Sequence, residues 1–469
     1  IGLVSNVLTA AEPPTENDYY QWIDIPIPEG IVLEVGGIEE LPGKKIAVST
    51  RRGDIYTIEG AFTPEPKNVK FTKFAGGLHE VLGISKEKDG WLYATQRCEL
   101  SRLKDTNHDG KADVVQTVSD GWEITGDYHE YAFGSSFDKN GHAWVVLCLT
   151  GSFNSNTKYR GWCLRIDKDG NVIPTCSGIR SPGGIGFNAE GDVFYTDNQG
   201  AWNGSSSLKW VKPGSFQGNP NGNIWFEYAN NAIGDPPPHP PYTKEGSRTV
   251  IEQENIPTYV PPAVVLPHGK VGNSPTGIEP DLSGGKFGPF DGQTFVGEQT
   301  HSKIHRVFLE KVNGMYQGAM FPFLEGFQSG NIGLLLTKDG VMFTSGSNRG
   351  WGARGGKAHN FERVDWTGKV PFEIHEMRAK PDGFELTFTE PIDKATAIDA
   401  SFKMEAYTYI YQKAYGSPEV DQVSPTVKVV SVGDDGKSLR LRVEPMTKGH
   451  VHELHAEGLK SANGFPLLH

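Results

Sequence analysis

Three basic side chains in the first half of the sequence have the chemistry needed to move or stabilise charge. His129 stands directly before an apolar segment, between Asp127 and Glu130, and Arg180 opens the run Arg-Ser-Pro-Gly-Gly, which places a long cation on a rigid turn. A histidine titrates near neutral pH and can accept a proton, and an arginine can stabilise developing negative charge. We therefore predict His129, Arg180 and His79 as catalytic residues. The alternatives are a histidine bonded to a backbone carbonyl and an arginine in a structural ion pair.

A second group of polar and aromatic side chains follows apolar segments further along the sequence. Planar amide, carboxylate and guanidinium groups can bond sugar hydroxyls in pairs, and aromatic faces can cover the apolar side of a pyranose. Turn chemistry is the alternative for the first three of these residues, and core packing is the alternative for the two tryptophans. The predicted carbohydrate-binding residues are Asp197, Asn198, Gln199, Trp202, His268, Glu298, Gln299, His301, Arg349 and Trp351.

A third signal is a short acidic run with the spacing of a calcium loop. Oxygen ligands at positions 1, 3, 5 and 9, a backbone carbonyl at position 7 and glycine at position 6 match such a loop, but Gln116 replaces the glutamate expected at position 12. The sequence therefore predicts either a structural Ca²⁺ or a metal-free turn. The predicted ligands are Asp105, Asn107, Asp109, Lys111 and Asp113.

The elements that must position these residues recur along the chain. An apolar strand, a glycine-containing turn and a second apolar strand return about every 50 residues, the period of a four-stranded propeller blade. The sequence predicts an all-β fold, with a six-bladed β-propeller over residues 21–374 after an extension over 1–20. A proline-rich insertion over about 219–270 is predicted to be loop. Residues from different blades would converge at one central mouth.

The sequence pattern changes at about residue 375. Alternating apolar and polar segments with turns between them predict a C-terminal β-sandwich, Ig-like, over 375–469, with a structural or docking role.

Composition and charge limit the classes of partner and the cellular compartment that we expect for this protein. The net charge is −12 over 469 residues and no Lys/Arg block occurs, which excludes nucleic acid as an expected partner. No apolar run is long enough for a membrane span. The apolar opening Ile1–Ala11 is typical of the end of an export signal, so a secreted or periplasmic protein is predicted. Cys163 and Cys176 flank a predicted hairpin and could form a disulfide there; free buried thiols are the alternative.

Two runs carry a resemblance to a known family. HEYAFGSSFDKNGHAWVV from His129 and GIRSPGGIGFNAEGDVFYTDNQG from Gly178 resemble the glucose/sorbosone dehydrogenase-like propellers, whose known members bind pyrroloquinoline quinone (PQQ). The later segments, from Ser274 to Gly352, resemble a secreted bacterial subgroup of that family. The resemblance implies that His129 is the general base for a sugar hydroxyl and that Arg180 steadies the cofactor or the developing charge.

Departures from the family pattern bear on the cofactor. Quinone-binding members place a lysine in blade five and an arginine pair at the start of blade six. This sequence has Thr300-His301 near the first place, where Lys303 is displaced, and Gln328-Ser-Gly-Asn at the second. A tricarboxylate without those cations binds poorly, so the sequence argues against PQQ although not against the fold.

Three functions are compatible with these residues. The first is oxidation of a sugar hydroxyl. The second is a carbohydrate lyase or glycoside hydrolase, in which a histidine removes a proton next to a uronate that an arginine neutralises. The third is a non-catalytic propeller that binds glycans.

Overall fold

Short apolar segments separated by glycine turns form the strands of this chain. The computed structural model describes residues 12–87, 89–229, 232–238, 246–350 and 352–469. Strands dominate the described residues, and the helical segments are short: α1 (Glu16–Tyr19), α2 (Thr249–Asn255) and 3₁₀ turns at Pro220–Ala229, Lys394–Thr396 and Asp399–Ser401. The predicted all-β class is confirmed.

Six antiparallel sheets of four strands follow one another along the chain. The strand β1 (Tyr20–Asp24) comes first but belongs to the sixth sheet. The first three sheets contain β2 (Val35–Leu41), β3 (Lys45–Thr50), β4 (Ile55–Glu59) and β5 (Lys70–Ala75); β6 (Ile84–Lys86), β7 (Leu92–Thr95), β8 (Leu100–Lys104) and β9 (Val114–Ser119); and β10 (Ala132–Phe137), β11 (Ala143–Leu147), β12 (Trp162–Ile166) and β13 (Val172–Ser177).

The next three sheets include the insertion and the return to β1. The fourth contains β14 (Pro182–Phe187), β15 (Val193–Asp197), β16 (Ser206–Trp210) and, after the insertion with its β17 (Ser247–Arg248), β18 (Val264–Leu266). The fifth contains β19 (Pro275–Pro280), β20 (Thr294–Glu298), β21 (Lys303–Val312) and β22 (Met315–Glu325). The sixth contains β23 (Asn331–Leu336), β24 (Val341–Ser347), β25 (His359–Trp366) and β1.

The first strands of the six sheets contact one another in a closed cycle. Each contacts the first strand of the next sheet, and β23 returns to β2. Glycine makes this approach possible, because a Cβ at Gly83, next to β6, would lie 2.5 Å from the Gly134 oxygen and one at Gly183 would lie 2.1 Å from the Pro275 oxygen. Four-stranded sheets in such a cycle are consistent with a β-propeller, and their number agrees with the predicted six blades.

The cycle is closed by a strand from the other end of this part of the chain. β1 pairs antiparallel with β25, from Tyr20 opposite Trp366 to Asp24 opposite Glu362. The side chain of Tyr20 is buried against the rings of Phe287 and Phe323, at centroid distances of 5.4 and 5.0 Å. The sixth sheet therefore depends on a strand that the chain forms before the first sheet.

The segments from residue 374 onward form two further sheets. One contains β26 (Ile374–Lys380), β27 (Gly383–Phe388), β31 (Ser438–Glu444) and β30 (Thr426–Val432). In the other, β28 (Lys403–Tyr411) pairs with β29 (Glu419–Val423) and β32 (Val451–His455). Side chains from both sheets share one apolar core, which agrees with a sandwich; its Ig-like character stays a prediction.

The insertion carries more regular structure than its composition predicts. β17 adds to the edge of β28, with Ser247 opposite Tyr411, and β18 completes the fourth sheet beside β16. The prediction of a loop over about 219–270 was therefore wrong for these two strands, for α2 and for the 3₁₀ segment Pro220–Ala229. The apolar run Val264–Leu266 is long enough to satisfy a sheet edge although prolines precede it.

Cys163 and Cys176 lie opposite each other on the β12–β13 hairpin, as predicted. Both are buried and free, which agrees with the alternative of free thiols, and burial raises the pKa of the Cys163 thiol.

No helix within the described ranges is long and apolar enough to cross a membrane.

Candidate functional site

The predicted catalytic and carbohydrate-binding residues within the described ranges lie on one face of the ring. In each sheet, the segment before the first strand and the segment after the second strand lie on the same side, because neighbouring strands are antiparallel. His79, His129 and Arg180 precede first strands, while Asp197 and Glu298 end second strands. We call this side of the ring the mouth face. The topology therefore places residues from different sheets on the same side of the ring.

His129 is held in one tautomer at the mouth face. Its side chain is 7% exposed, and Nδ1 lies 3.2 Å from the Leu149 carbonyl oxygen, to which it must donate. Nε2 therefore carries a lone pair, which accepts from the hydroxyls of Ser152 at 2.8 Å and Ser181 at 3.2 Å. Burial lowers the pKa of His129 to about 4, so the ring is neutral at neutral pH. His129 is a fixed, unprotonated acceptor.

Arg180 is more deeply buried than its sequence context suggested. Its side chain is 3% exposed, and one guanidinium nitrogen donates to the Gln199 carbonyl at 2.7 Å. Its Nε has no hydrogen-bond partner among the described residues. The ring of Tyr415, from the C-terminal sheets, covers the guanidinium at 4.9 Å. Arg180 is therefore part of the floor of the mouth face.

Two carboxylates at the mouth face each hold two arginines. Glu80 accepts from Arg51 at 2.8 Å and from Arg97 at 3.1 Å. The side chain of Glu34 is buried and lies 3.3 Å from both Arg52 and Arg349. Each carboxylate therefore pairs with two arginines and balances half of their positive charge; Arg52 and Arg349 are also more than half exposed.

Three predicted carbohydrate-binding residues have structural roles instead. Asp197 is buried, accepts from the Ser181 backbone at 2.8 Å and forms an ion pair with buried Lys209 at 3.1 Å. Glu298 is also buried and accepts from the backbone nitrogens of residues 273, 274 and 301. Trp202 packs in an apolar cluster below the surface. In this structure protein donors occupy the carboxylates of Asp197 and Glu298, and apolar neighbours cover the ring of Trp202, which does not support these three as binding residues.

The remaining predicted residues are distributed around the mouth face. His79 and His268 are exposed, and His301 is partly exposed, with pKa values lowered by burial for His268 and His301. Asn198 and Gln199 are partly exposed, but their side-chain amides donate to the backbone oxygens of residues 181 and 204. Gln299 is buried and donates to the backbone of residue 347. Trp351 lies outside the described residues.

Several site residues carried no sequence signal. Ser152 and Ser181 bond His129, but serines in turns are too common to single out. Three exposed aromatic side chains also lie at the mouth face: Tyr128 (62% exposed), Phe153 (48%) and Tyr415 (56%). Tyr128 could have been found from its place beside His129. Nothing in the sequence places Tyr415 near Arg180.

A central channel of about 470 Å³ runs between the six first strands. Glycine backbone and apolar side chains such as Leu82, Phe133 and Ile278 line it, and it extends to the turns at Asp138 and Asn188 on the opposite face. None of the predicted site residues within the described ranges lines this channel. The candidate chemistry therefore lies above the channel, on the mouth face.

The predicted calcium loop is not part of this site. It joins β8 to β9 on the face opposite the mouth, and its carboxylates accept backbone N–H groups: Asp105 from residues 108 and 110, Asp109 from residue 111, and Asp113 from residue 106. Across the described part of the chain, no three His, Cys, Asp or Glu side chains are grouped to hold a metal. A structural Ca²⁺ and a metal-free turn both stay predictions.

Comparisons by sequence give one partial match. A family model described as "Domain of unknown function (DUF7133)" matches residues 67–209, a segment that includes His79, His129 and Arg180. No curated protein matches the chain.

Solved structures give a match to the fold. An oxidoreductase (glucose dehydrogenase) of Thermus thermophilus is 16% identical with a TM-score of 0.53, covering 74% of this chain and 99% of that one. The PQQ-bound aldose sugar dehydrogenase of Streptomyces coelicolor is 15% identical with a TM-score of 0.52, covering 76% and 99%. A calcium structure of a Trichoderma reesei carbohydrate-active enzyme of family AA12 is 13% identical with a TM-score of 0.52, covering 78% and 100%.

These coverages mean that about a quarter of this chain has no counterpart in the solved chains. Within the shared part, the resemblance seen in the sequence is confirmed for the fold. The chain has the fold of the glucose and aldose sugar dehydrogenases.

Proposed function

We propose that the mouth face binds a carbohydrate and that the chain oxidises one of its hydroxyls, with His129 as the proton acceptor. One observation carries the proposal: the Leu149 carbonyl fixes the tautomer of His129, so that Nε2 offers a lone pair toward two serine hydroxyls. A sugar hydroxyl that takes the place of one serine would have its proton accepted by Nε2. The sugar dehydrogenase fold supports oxidation over other reactions of a deprotonated hydroxyl.

The positive side chains at the mouth face do not fit a tricarboxylate quinone such as PQQ. Four arginines are already bonded to Glu34 and Glu80, and Arg180 is bonded to a backbone carbonyl. A trianion would have to compete with those carboxylates in place, which opposes its binding. We therefore assign no step to PQQ, and the hydride must leave to an acceptor that enters from solution.

A non-catalytic glycan-binding propeller is the second candidate. It is supported by the exposed rings of Tyr128, Phe153 and Tyr415, since exposed aromatic groups at one surface are typical of binding sites. A lyase or hydrolase has less support, because Arg180 is deeply buried and Arg349, the other arginine that could neutralise a uronate, already pairs with Glu34 at 3.3 Å. We also propose that the protein is exported to the periplasm or the medium, where it would encounter glycans.

The test of this function is dye reduction by the purified protein. A panel of neutral sugars, uronates and oligosaccharides is supplied with a soluble electron-accepting dye, with and without PQQ and Ca²⁺, while PQQ binding is measured by calorimetry. We expect sugar-dependent dye reduction that added PQQ does not raise, and no PQQ binding. Glycan binding without dye reduction would favour the second candidate. Activity that appears only with PQQ would contradict our interpretation of the arginines.

The lowered pKa of His129 predicts an unusual pH dependence of the reaction rate. Only the neutral ring accepts a proton, and burial lowers its pKa from 6.5 to about 4. The acidic limb of the rate should therefore lie near pH 4 and not near pH 6.5, measured as initial dye reduction after the protein is shown to stay folded. The same pKa difference affects stability. Between pH 6.5 and 4 the histidine is protonated in the unfolded chain but neutral in the folded one, so the free energy of unfolding decreases as the pH falls. A limb near pH 6.5 would mean that His129 is solvated.

A further inference from the structure

A loop of the C-terminal sheets reaches the mouth face. The connection between β28 and β29 is bonded to the segment after β15 by three backbone hydrogen bonds. Trp202 N donates to Gln412 O at 2.7 Å, Gly416 N to Gly200 O at 3.1 Å, and Ser417 N to residue 204 at 3.0 Å. The loop is therefore held in a fixed position relative to Arg180, which lies against the same segment.

This loop presents one exposed aromatic ring. Tyr415 places one face over the guanidinium of Arg180 at 4.9 Å and lies 6.0 Å from the ring of Phe153, which comes from the third sheet. Both rings are about half exposed, although their backbones are fixed. Apolar rings that a rigid backbone holds in water are typical of a surface that a ligand covers.

A second aromatic group adjoins the proton acceptor. The ring of Tyr128 is 62% exposed and lies 5.9 Å from the ring of His129. His129 is in turn bonded to Ser181, the neighbour of Arg180. The ring of Tyr128 therefore lies beside the proton acceptor, His129. The ring of Tyr415 lies beside Arg180, the residue before Ser181. Two such rings suit consecutive sugar units better than a single ring.

We propose that Tyr415 and Phe153 form a subsite for a second sugar unit next to the unit at His129, so that the ligand is an oligosaccharide. The inference rests on the proposed function and names its substrate class. The apolar C–H face of one pyranose would stack on Tyr415, whose other face is taken by Arg180. The C-terminal sheets thereby supply part of the binding site.

The test compares affinities for short and long sugars. Glucose, xylose and mannose and their β-linked hexaoses are titrated by calorimetry into the wild-type protein, Tyr415→Ala, Phe153→Ala and Tyr415→Phe. We expect the wild type to bind at least one hexaose more tightly than its monosaccharide. Both alanine variants should lose about three- to tenfold in hexaose affinity, with monosaccharide affinity unchanged. Tyr415→Phe, which keeps the ring, should behave as wild type.

Trp91→Ala, on the opposite face, is the matched aromatic control, and melting temperatures confirm that each variant is folded. Phe153→Ala lies outside the C-terminal loop, so it keeps the test valid if Tyr415→Ala disturbs that loop. Equal affinity of the wild type for hexaose and monosaccharide, or alanine variants that bind the hexaose as wild type does, would overturn the subsite alone. A wild type that binds no sugar would overturn the proposed function and the subsite with it.

Discussion

Replacing His129 with alanine is expected to lower sugar-dependent dye reduction by about 10²- to 10⁴-fold, the contribution of a positioned general base. The loss should fall mainly on kcat, because the ring acts on the hydroxyl proton and contributes little contact area. Initial rates over a range of sugar concentrations measure it. The melting temperature checks that the variant is folded, because Ser181 is buried and Ser152 partly buried beside the ring.

Two further variants separate catalysis from packing. His129→Gln keeps a donor for the Leu149 carbonyl but offers no basic nitrogen, so it should remain folded and as inactive as the alanine variant. His142→Ala, on the opposite face beside Asp138, should retain wild-type rates. An active His129→Gln protein would assign the base to another residue, with His79 the next to examine.

The second large effect is expected on stability. Tyr20→Ala should lower the free energy of unfolding by about 3–5 kcal/mol, because it removes a fully buried ring from the cluster around Phe287 and Phe323. The ring belongs to β1, so the variant also weakens the pairing with β25 that closes the cycle. Urea unfolding followed by tryptophan fluorescence measures the change.

Gln21→Ala supplies the matched control in the same strand. Its side chain is exposed, so the expected change is within about 0.5 kcal/mol. Equal stabilities for Tyr20→Ala and the wild type would mean that β1 is not needed to close the sixth sheet.

The periodic features of the fold could be predicted from the sequence. Strand and turn residues alternate locally, so the hairpin at Cys163 and Cys176 was predicted, and the strands Trp162–Ile166 and Val172–Ser177 form it. The place of His129 before a first strand was predictable for the same reason. These features depend on neighbours within one sheet.

The residues that were misjudged depend on partners from distant segments. Asp197 is of a residue type that often binds ligands, but in the interior it forms an ion pair with Lys209. No local sequence pattern predicts that pairing. Arg180 was expected to be accessible, yet the loop that carries Tyr415 covers it. The C-terminal sheets gave no sign of reaching the mouth face, because the bonds that bring them there join backbone atoms of unremarkable residues.

The pairing of β1 with β25 has a consequence for biosynthesis. A ribosome releases β1 before any of the six sheets, but its partner emerges only after all the other strands of those sheets. The early strand must wait with its hydrogen-bonding edge free, at a translation speed of about 5–20 residues per second. Its charged and polar residues, Gln21 and Asp24, are of the kind that discourage pairing with other chains during that interval. A nascent chain stalled before β25 should therefore be a chaperone client, whereas the completed ring should not.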